Sequence, residues 1–96
     1  MMKEPIFVFR LFVAGDTPNS AQALKNLSAL CRTRLADQHE IEVVDVFRHP
    51  QQALANGIFM TPTLLRLAPG PALRMVGTLK DEATLLLALG FEAAST

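Results

Sequence analysis

The first half of the chain has the order strand, helix, strand, and this order fixes how the three elements pack. Residues 6–14 (IFVFRLFVA) are rich in β-branched and aromatic side chains and end at Gly15, as is typical of a buried strand. A helix is predicted over residues 18–36, with Thr17 as its N-cap and Pro18 at its first position. Residues 41–47 are the second strand. Two strands joined by one helix favour a parallel pair with a right-handed crossover.

The second half contains shorter elements separated by turn signals. Pro50 begins a short helix that runs through Ala55 and is stopped by Asn56-Gly57. Residues 63–67 and 73–76 are strands, and the intervening Pro-Gly-Pro turn makes them a hairpin. A last helix, capped by Asp81, is predicted over residues 82–89. The order β-α-β-α-β-β-α predicts a single α/β domain with thioredoxin-like topology.

The charge balance argues against two classes of partner. Nine Lys and Arg residues offset nine Asp and Glu residues among 96, so no electrostatic signal favours a nucleic acid or a membrane surface. The first apolar segment is too short to span a bilayer and is interrupted by Arg10. The single cysteine fits a reducing compartment. These features predict a cytoplasmic protein.

The start of the first helix is the place where thioredoxin-like redox enzymes carry C-x-x-C, and here it reads Thr-Pro-Asn-Ser over residues 17–20. The only thiol, Cys31, lies in mid-helix on an apolar stripe with Leu24, Leu27 and Leu35. We expect a buried structural cysteine, because the helix N-terminus that would lower its pKa is distant. No catalytic residue is predicted. The alternative is a thioredoxin-superfamily redox or glutathione-using enzyme with Cys31 as its thiol.

The other polar candidates favour structural roles. His39 and His49 lack neighbours at metal-ligand spacing and are interpreted as solvated loop residues. Asp45 is expected to accept a hydrogen bond from a backbone donor at the end of its strand. No glycine-rich phosphate loop is present in the sequence. We therefore predict no cofactor and no bound metal.

One proline carries a more specific prediction. Pro62 stands between Thr61 and Thr63 at the start of the third strand. A cis peptide bond at this position would fix a recognition loop beside the helix start. A further possibility is a purely structural homo-oligomer held by the apolar residues 58–60 or by the leucines 85–87, although such residues are more often core in a small domain.

Taken together, these motifs resemble the KaiB family of circadian clock proteins. The resemblance extends from Phe7 to Phe91, and its most specific block is the one that ends in Thr-Pro-Asn-Ser. It is carried by residues 11–15 (LFVAG), 17–20 (TPNS), Ala23, Leu24, Val46, Pro50, Gln51, Ile58, 61–64 (TPTL) and Gly77. A similar resemblance holds for the N-terminal sensor domain of a clock-output histidine kinase.

The resemblance implies a non-enzymatic regulator that binds the N-terminal ATPase ring of the KaiC ATPase/kinase, in a circadian oscillator or a reduced timing system. It also implies that the chain forms homodimers or homotetramers. The partner-binding positions are expected in the second half. They are Arg48, Pro50, Gln51, Leu54, Thr61, Pro62 and Thr63.

The resemblance further implies two folds for one sequence. Proteins of this kind switch between a thioredoxin-like monomer and a tetrameric ground state whose C-terminal half is rearranged. Residues 6–47 would be common to both folds, and residues 48–96 would refold. The local signals favour the thioredoxin-like form, because residues 73–76 are typical of a strand and a capped leucine helix follows them.

Overall fold

The structure, a computed structural model, describes residues 7–81, 83, 85 and 86. Its elements in chain order are β1 (Phe7–Val13), α1 (Pro18–Arg34), β2 (His39–Asp45), α2 (Pro50–Ala55), β3 (Thr63–Ala68) and β4 (Leu73–Val76). Ala83, Leu85 and Leu86 are helical, and the amide of Leu85 donates to the Asp81 carbonyl at 3.0 Å. The other residues of the predicted last helix lie outside the described residues.

The four strands form one sheet in the order β2-β1-β3-β4. β1 and β2 are parallel, with Phe7 opposite His39 and Val13 opposite Asp45. β3 is antiparallel to β1, and β4 is antiparallel to β3. The predicted parallel pair and the predicted hairpin are both confirmed. Because strand, helix, strand and hairpin occur in the expected order, the fold is thioredoxin-like.

Side chains of β1 alternate between two hydrophobic clusters on opposite faces of the sheet, as the period of a strand requires. The larger cluster contains the buried stripe of α1, including Leu27, Cys31 and Leu35, which confirms the predicted face. Its buried members are Phe9, Leu11, Val13, Ala23, Leu27, Leu30, Cys31, Leu35, Leu64 and Leu85. The smaller cluster lies on the α2 side. Its buried members are Phe12, Val44, Ala53, Ile58 and Leu65.

The strand β2 differs from its prediction at both ends. It begins at His39 rather than Ile41, because pairing with Phe7 extends the ladder into the polar segment. His39 is therefore a half-buried strand residue whose Nδ1 lies 2.8 Å from the Leu35 carbonyl oxygen, and its assignment to a solvated loop is wrong. The strand ends at Asp45, whose carbonyl accepts from the Arg48 amide at 3.0 Å and so turns the chain.

Arg10, which interrupts the first apolar segment, forms an ion pair across the sheet. It stays within β1 and extends outward, where its Nε donates to Glu42 Oε1 on the paired strand at 2.7 Å. Within the described residues, no helix is both long enough and apolar enough to cross a membrane.

Candidate functional site

The start of α1 is held by a hydroxyl pair in place of thiols. Ser20, 2% exposed, accepts a hydrogen bond from the Ala14 amide at 3.0 Å and a second from Thr17 Oγ1 at 2.8 Å. Thr17 occupies the N-cap position, but its side chain caps no backbone amide. The predicted N-cap position of Thr17 is confirmed, but its hydroxyl donates to Ser20 Oγ.

Asp45 ties this helix start to the end of β2. Its Oδ1 accepts from the amide of Gly15 at 3.2 Å and from the amide of Phe47 at 2.9 Å. The predicted strand-end role of Asp45 is confirmed. Arg48 adds an ion pair at 4.0 Å, which contributes little because the arginine side chain is 82% exposed. Gly15 takes a φ of +57°, which glycine adopts without strain.

Cys31 is unsuited to thiol chemistry. Its side chain is fully buried in the larger cluster. Burial raises the pKa of the Cys31 thiol from its ordinary value of 9.0 to about 11, so the thiol stays protonated near neutral pH. The prediction of a buried structural cysteine is confirmed. Among the described residues, no group of three or more His, Cys, Asp or Glu side chains could hold a metal ion.

The helix α2 ends in a Schellman motif. The Gly57 amide donates to the Leu54 carbonyl at 3.0 Å, and the Ile58 amide donates to the Ala53 carbonyl at 2.9 Å. Gly57 adopts the left-handed φ of +67° that this motif needs. Ile58 and Ala53 are both buried, and they supply the hydrophobic contact that accompanies the cap. The stop signal predicted from Asn56-Gly57 is confirmed.

Beyond the cap, the chain exposes two large apolar side chains. Phe59 is 87% exposed and Met60 is 63% exposed, between the buried Ile58 and the buried Pro62. We call residues 58–62 the display loop. The expectation of core positions is thus confirmed for Ile58 and wrong for Phe59 and Met60. The cap holds Ile58 against the smaller cluster, and the two residues that follow it face outward.

The far end of the display loop is anchored at Pro62. The Thr61-Pro62 peptide bond is cis, as predicted, and a second cis bond precedes Pro69. Thr63 Oγ1 donates to the Met60 carbonyl at 2.6 Å. The Gly77 amide donates to the Pro62 carbonyl at 2.9 Å. The loop is therefore fixed at both of its ends.

Arg74 of β4 reaches across to the end of α2. Its Nη1 donates to the Gly57 carbonyl at 2.8 Å and its Nη2 to the Asn56 carbonyl at 2.7 Å. The sequence does not indicate this contact. Arg74 is separated from Asn56 by 18 positions, and nothing in the local pattern of β4 marks one arginine as a partner of that turn.

The predicted partner-binding residues occupy two kinds of position. Arg48, Pro50, Gln51 and Leu54 are exposed at the start and along the outside of α2. Thr61 is half-buried, whereas Pro62 and Thr63 are buried. In this fold, Pro62 and Thr63 support the display loop from the inside and offer no surface of their own.

The thioredoxin-like class is also seen in the comparison with solved structures. The solution structure of the N-terminal domain of Synechococcus elongatus SasA superposes with a TM-score of 0.75, covering 100% of this chain and 93% of that chain at 21% identity. Fasciola hepatica thioredoxin gives a TM-score of 0.70, covering 90% and 80% at 18% identity. At these identities the likeness concerns the fold alone. The chain is a thioredoxin-like domain with no thiol at its helix start.

The sequence comparisons identify the family. The model of the KaiB domain matches residues 10–91. The circadian clock oscillator protein KaiB of Prochlorococcus marinus (strain MIT 9313) is 37% identical over 89 residues, which are 93% of this chain and 75% of the relative. The KaiB of Acaryochloris marina is 37% identical over 83 residues, covering 86% and 80%. This chain belongs to the KaiB family.

Proposed function

We propose that this protein is a non-enzymatic timing regulator that binds the N-terminal ATPase ring of a KaiC-like ATPase/kinase. Membership of the KaiB family supports the class of partner, since relatives are named as circadian clock oscillator proteins. The observation that carries the proposal is the exposure of Leu54, Phe59 and Met60 on α2 and the display loop. Large apolar side chains grouped on one exposed segment are typical of a protein interface.

The docking surface has an apolar centre and a polar border. Phe59 is the natural anchor, because burying an aromatic side chain that is 87% exposed contributes about 1.5–3 kcal/mol. Such anchors dominate binding energies in protein interfaces. Arg48 and Gln51 extend the surface with hydrogen-bonding groups at the start of α2. Pro50 restricts the backbone there, so little conformational entropy is lost on docking.

A redox or glutathione-using enzyme has no supporting feature in the described residues. The helix start carries Thr17 and Ser20, and both hydroxyls are engaged in the hydrogen bonds of the β1–α1 turn. Cys31 is fully buried with a raised pKa. Neither position offers a reactive thiolate to a substrate.

The proposal is tested by co-elution with a KaiC homologue in the presence of ATP. We expect F59A to weaken binding by roughly tenfold or more, since 1.4 kcal/mol corresponds to a factor of ten. The control is V43A, which truncates another exposed apolar residue, 45% exposed, on β2. Failure of the unmodified protein to bind, under conditions in which another KaiB binds the same ATPase, would remove the proposal.

We also propose that the protein acts in the cytoplasm and that residues 48–96 refold in a homotetrameric ground state. Two packings of one sequence coexist when their free energies differ by only a few kcal/mol. Light scattering against protein concentration tests the assembly. Nuclear magnetic resonance of residues 73–76 tests the refolding, because that segment is a strand in the thioredoxin-like form and would be helical in the ground state.

A further inference from the structure

The display loop begins directly after the cap of α2, so the direction in which Phe59 and Met60 point depends on how firmly that cap is held. The Schellman motif uses the carbonyls of Ala53 and Leu54. Arg74 donates to two other carbonyls, those of Asn56 and Gly57. They lie at the negative end of α2 and at the base of the display loop.

Arg74 meets both carbonyls with one side chain. Its Nη1 and Nη2 lie 2.8 Å and 2.7 Å from the two oxygens, so the planar guanidinium holds successive peptide groups in a fixed orientation. Hydrogen bonds from a charged donor are stronger than neutral ones. The Cβ position of Gly57 would lie 3.7 Å from Nη2, so the arginine also packs against this turn.

The contact joins two segments that are separate in the chain. Arg74 pairs with Leu65 in the β3–β4 ladder, and this register places its side chain next to the end of α2. The far end of the display loop meets the same hairpin, since the Gly77 amide donates to the Pro62 carbonyl. The hairpin thus holds both ends of the loop.

We propose that Arg74 is a positioning residue for partner docking: its guanidinium clamps the Asn56–Gly57 turn to β4 and makes the presentation of Phe59 and Met60 depend on the β3–β4 hairpin. This inference rests on the proposed docking function. It adds that partner docking and the order of the Asn56–Gly57 turn are thermodynamically coupled through Arg74, so whatever stabilises the clamp favours binding, and binding stabilises the clamp.

The test uses R74M, which keeps the length of the side chain and removes its donors, and R74K, which keeps the charge but cannot span two carbonyls in a planar fork. R32M is the matched control, because Arg32 is exposed in the last turn of α1. In the free protein, at a concentration where light scattering shows the monomer and residues 73–76 are a strand, amide hydrogen exchange is measured by nuclear magnetic resonance at Gly57 and Ile58, the two donors of the cap. Amides of β1 report whether the rest of the domain is intact.

We expect R74M to speed exchange at Gly57 and Ile58 by roughly 5- to 30-fold, the factor that one or two lost hydrogen bonds produce, with β1 unchanged. R74K should lie between R74M and the unmodified protein, and R32M should match the latter. Affinity for the KaiC homologue should fall in the same order.

Exchange in the free protein tests whether Arg74 holds the Asn56–Gly57 turn, and this test does not require that the KaiC homologue binds. The clamp and the docking function can therefore be refuted independently of each other. Unchanged exchange at Gly57 and Ile58 in R74M overturns the clamp. Faster exchange with undiminished affinity, for an unmodified protein that does bind, overturns the positioning role.

Discussion

Replacing Ser20 by alanine should destabilise the protein through a single buried oxygen. Ser20 Oγ accepts from the Ala14 amide at 3.0 Å and from Thr17 Oγ1 at 2.8 Å, and the residue is 2% exposed. In S20A the half-buried Ala14 amide has lost its acceptor. An unsatisfied buried donor costs about 1–3 kcal/mol. Alanine regains up to about 0.5 kcal/mol through its higher helix propensity.

The net expected loss for S20A is therefore about 1–2 kcal/mol of unfolding free energy. For a domain of this size, a loss of 1 kcal/mol lowers Tm by about 4–8 °C. The loss is measured by urea unfolding followed by circular dichroism, and it should shift the midpoint without changing the slope.

Two further variants separate the hydrogen bonds from helix propensity. S28A makes the same exchange in the middle of α1, at a half-buried position, and should leave stability equal or slightly higher. T17V removes only the hydroxyl donor and should cost less than S20A. The double variant should cost less than the sum of the two, because both single changes remove the same Thr17–Ser20 bond. Equal stability of S20A and S28A would refute the reasoning.

Other perturbations address the same helix start and the buried thiol. D45A should cost about 1–3 kcal/mol in urea unfolding, because Asp45 accepts from two amides, whereas D16A in the same loop should be neutral. When oxidised by dissolved oxygen with a copper catalyst, T17C/S20C should form an intramolecular disulfide, seen as two fewer free thiols than in the reduced variant, because the present oxygens lie 2.8 Å apart. Cys31 should resist thiol reagents until the protein unfolds. Its pKa rises from 9.0 to about 11 on folding, so stability should fall as pH rises between these values and C31A should lessen that fall.

Most of the fold could be predicted because its signals are local. Pro50 begins α2 and Leu73–Val76 is a strand, at the predicted boundaries, since proline and alternating apolar residues act within their own segment. The predicted start of β2, Ile41, lies after the observed start, His39. His39 joins the strand because it pairs with Phe7, which is distant in sequence. Non-local pairing of this kind produces no recognisable pattern in the residues of the strand itself.

The candidate site was predictable only where a residue marks the end of a strand or of a helix. Asp45 and the Gly57 stop followed from their positions in the chain and are confirmed. The exposure of Phe59 was not foreseen, because an apolar residue between two turns reads as core in a small domain. The contact of Arg74 with the end of α2 could not be predicted, because its two partner carbonyls lie 17 and 18 positions away in the sequence.

Most of the buried apolar side chains in the two hydrophobic clusters come from the first half of the chain. All buried members of the larger cluster except Leu64 and Leu85 come from the segment before residue 48. The β1-α1-β2 unit therefore keeps most of its apolar contacts whatever the later segments do, and it can persist as a cooperative unit of its own. The later segments contribute Ala53, Ile58 and Leu65 to the smaller cluster and Leu64 and Leu85 to the larger one. Detaching these segments would leave eight of the ten buried members of the larger cluster in place, so the docking half can open while the β1-α1-β2 unit stays folded.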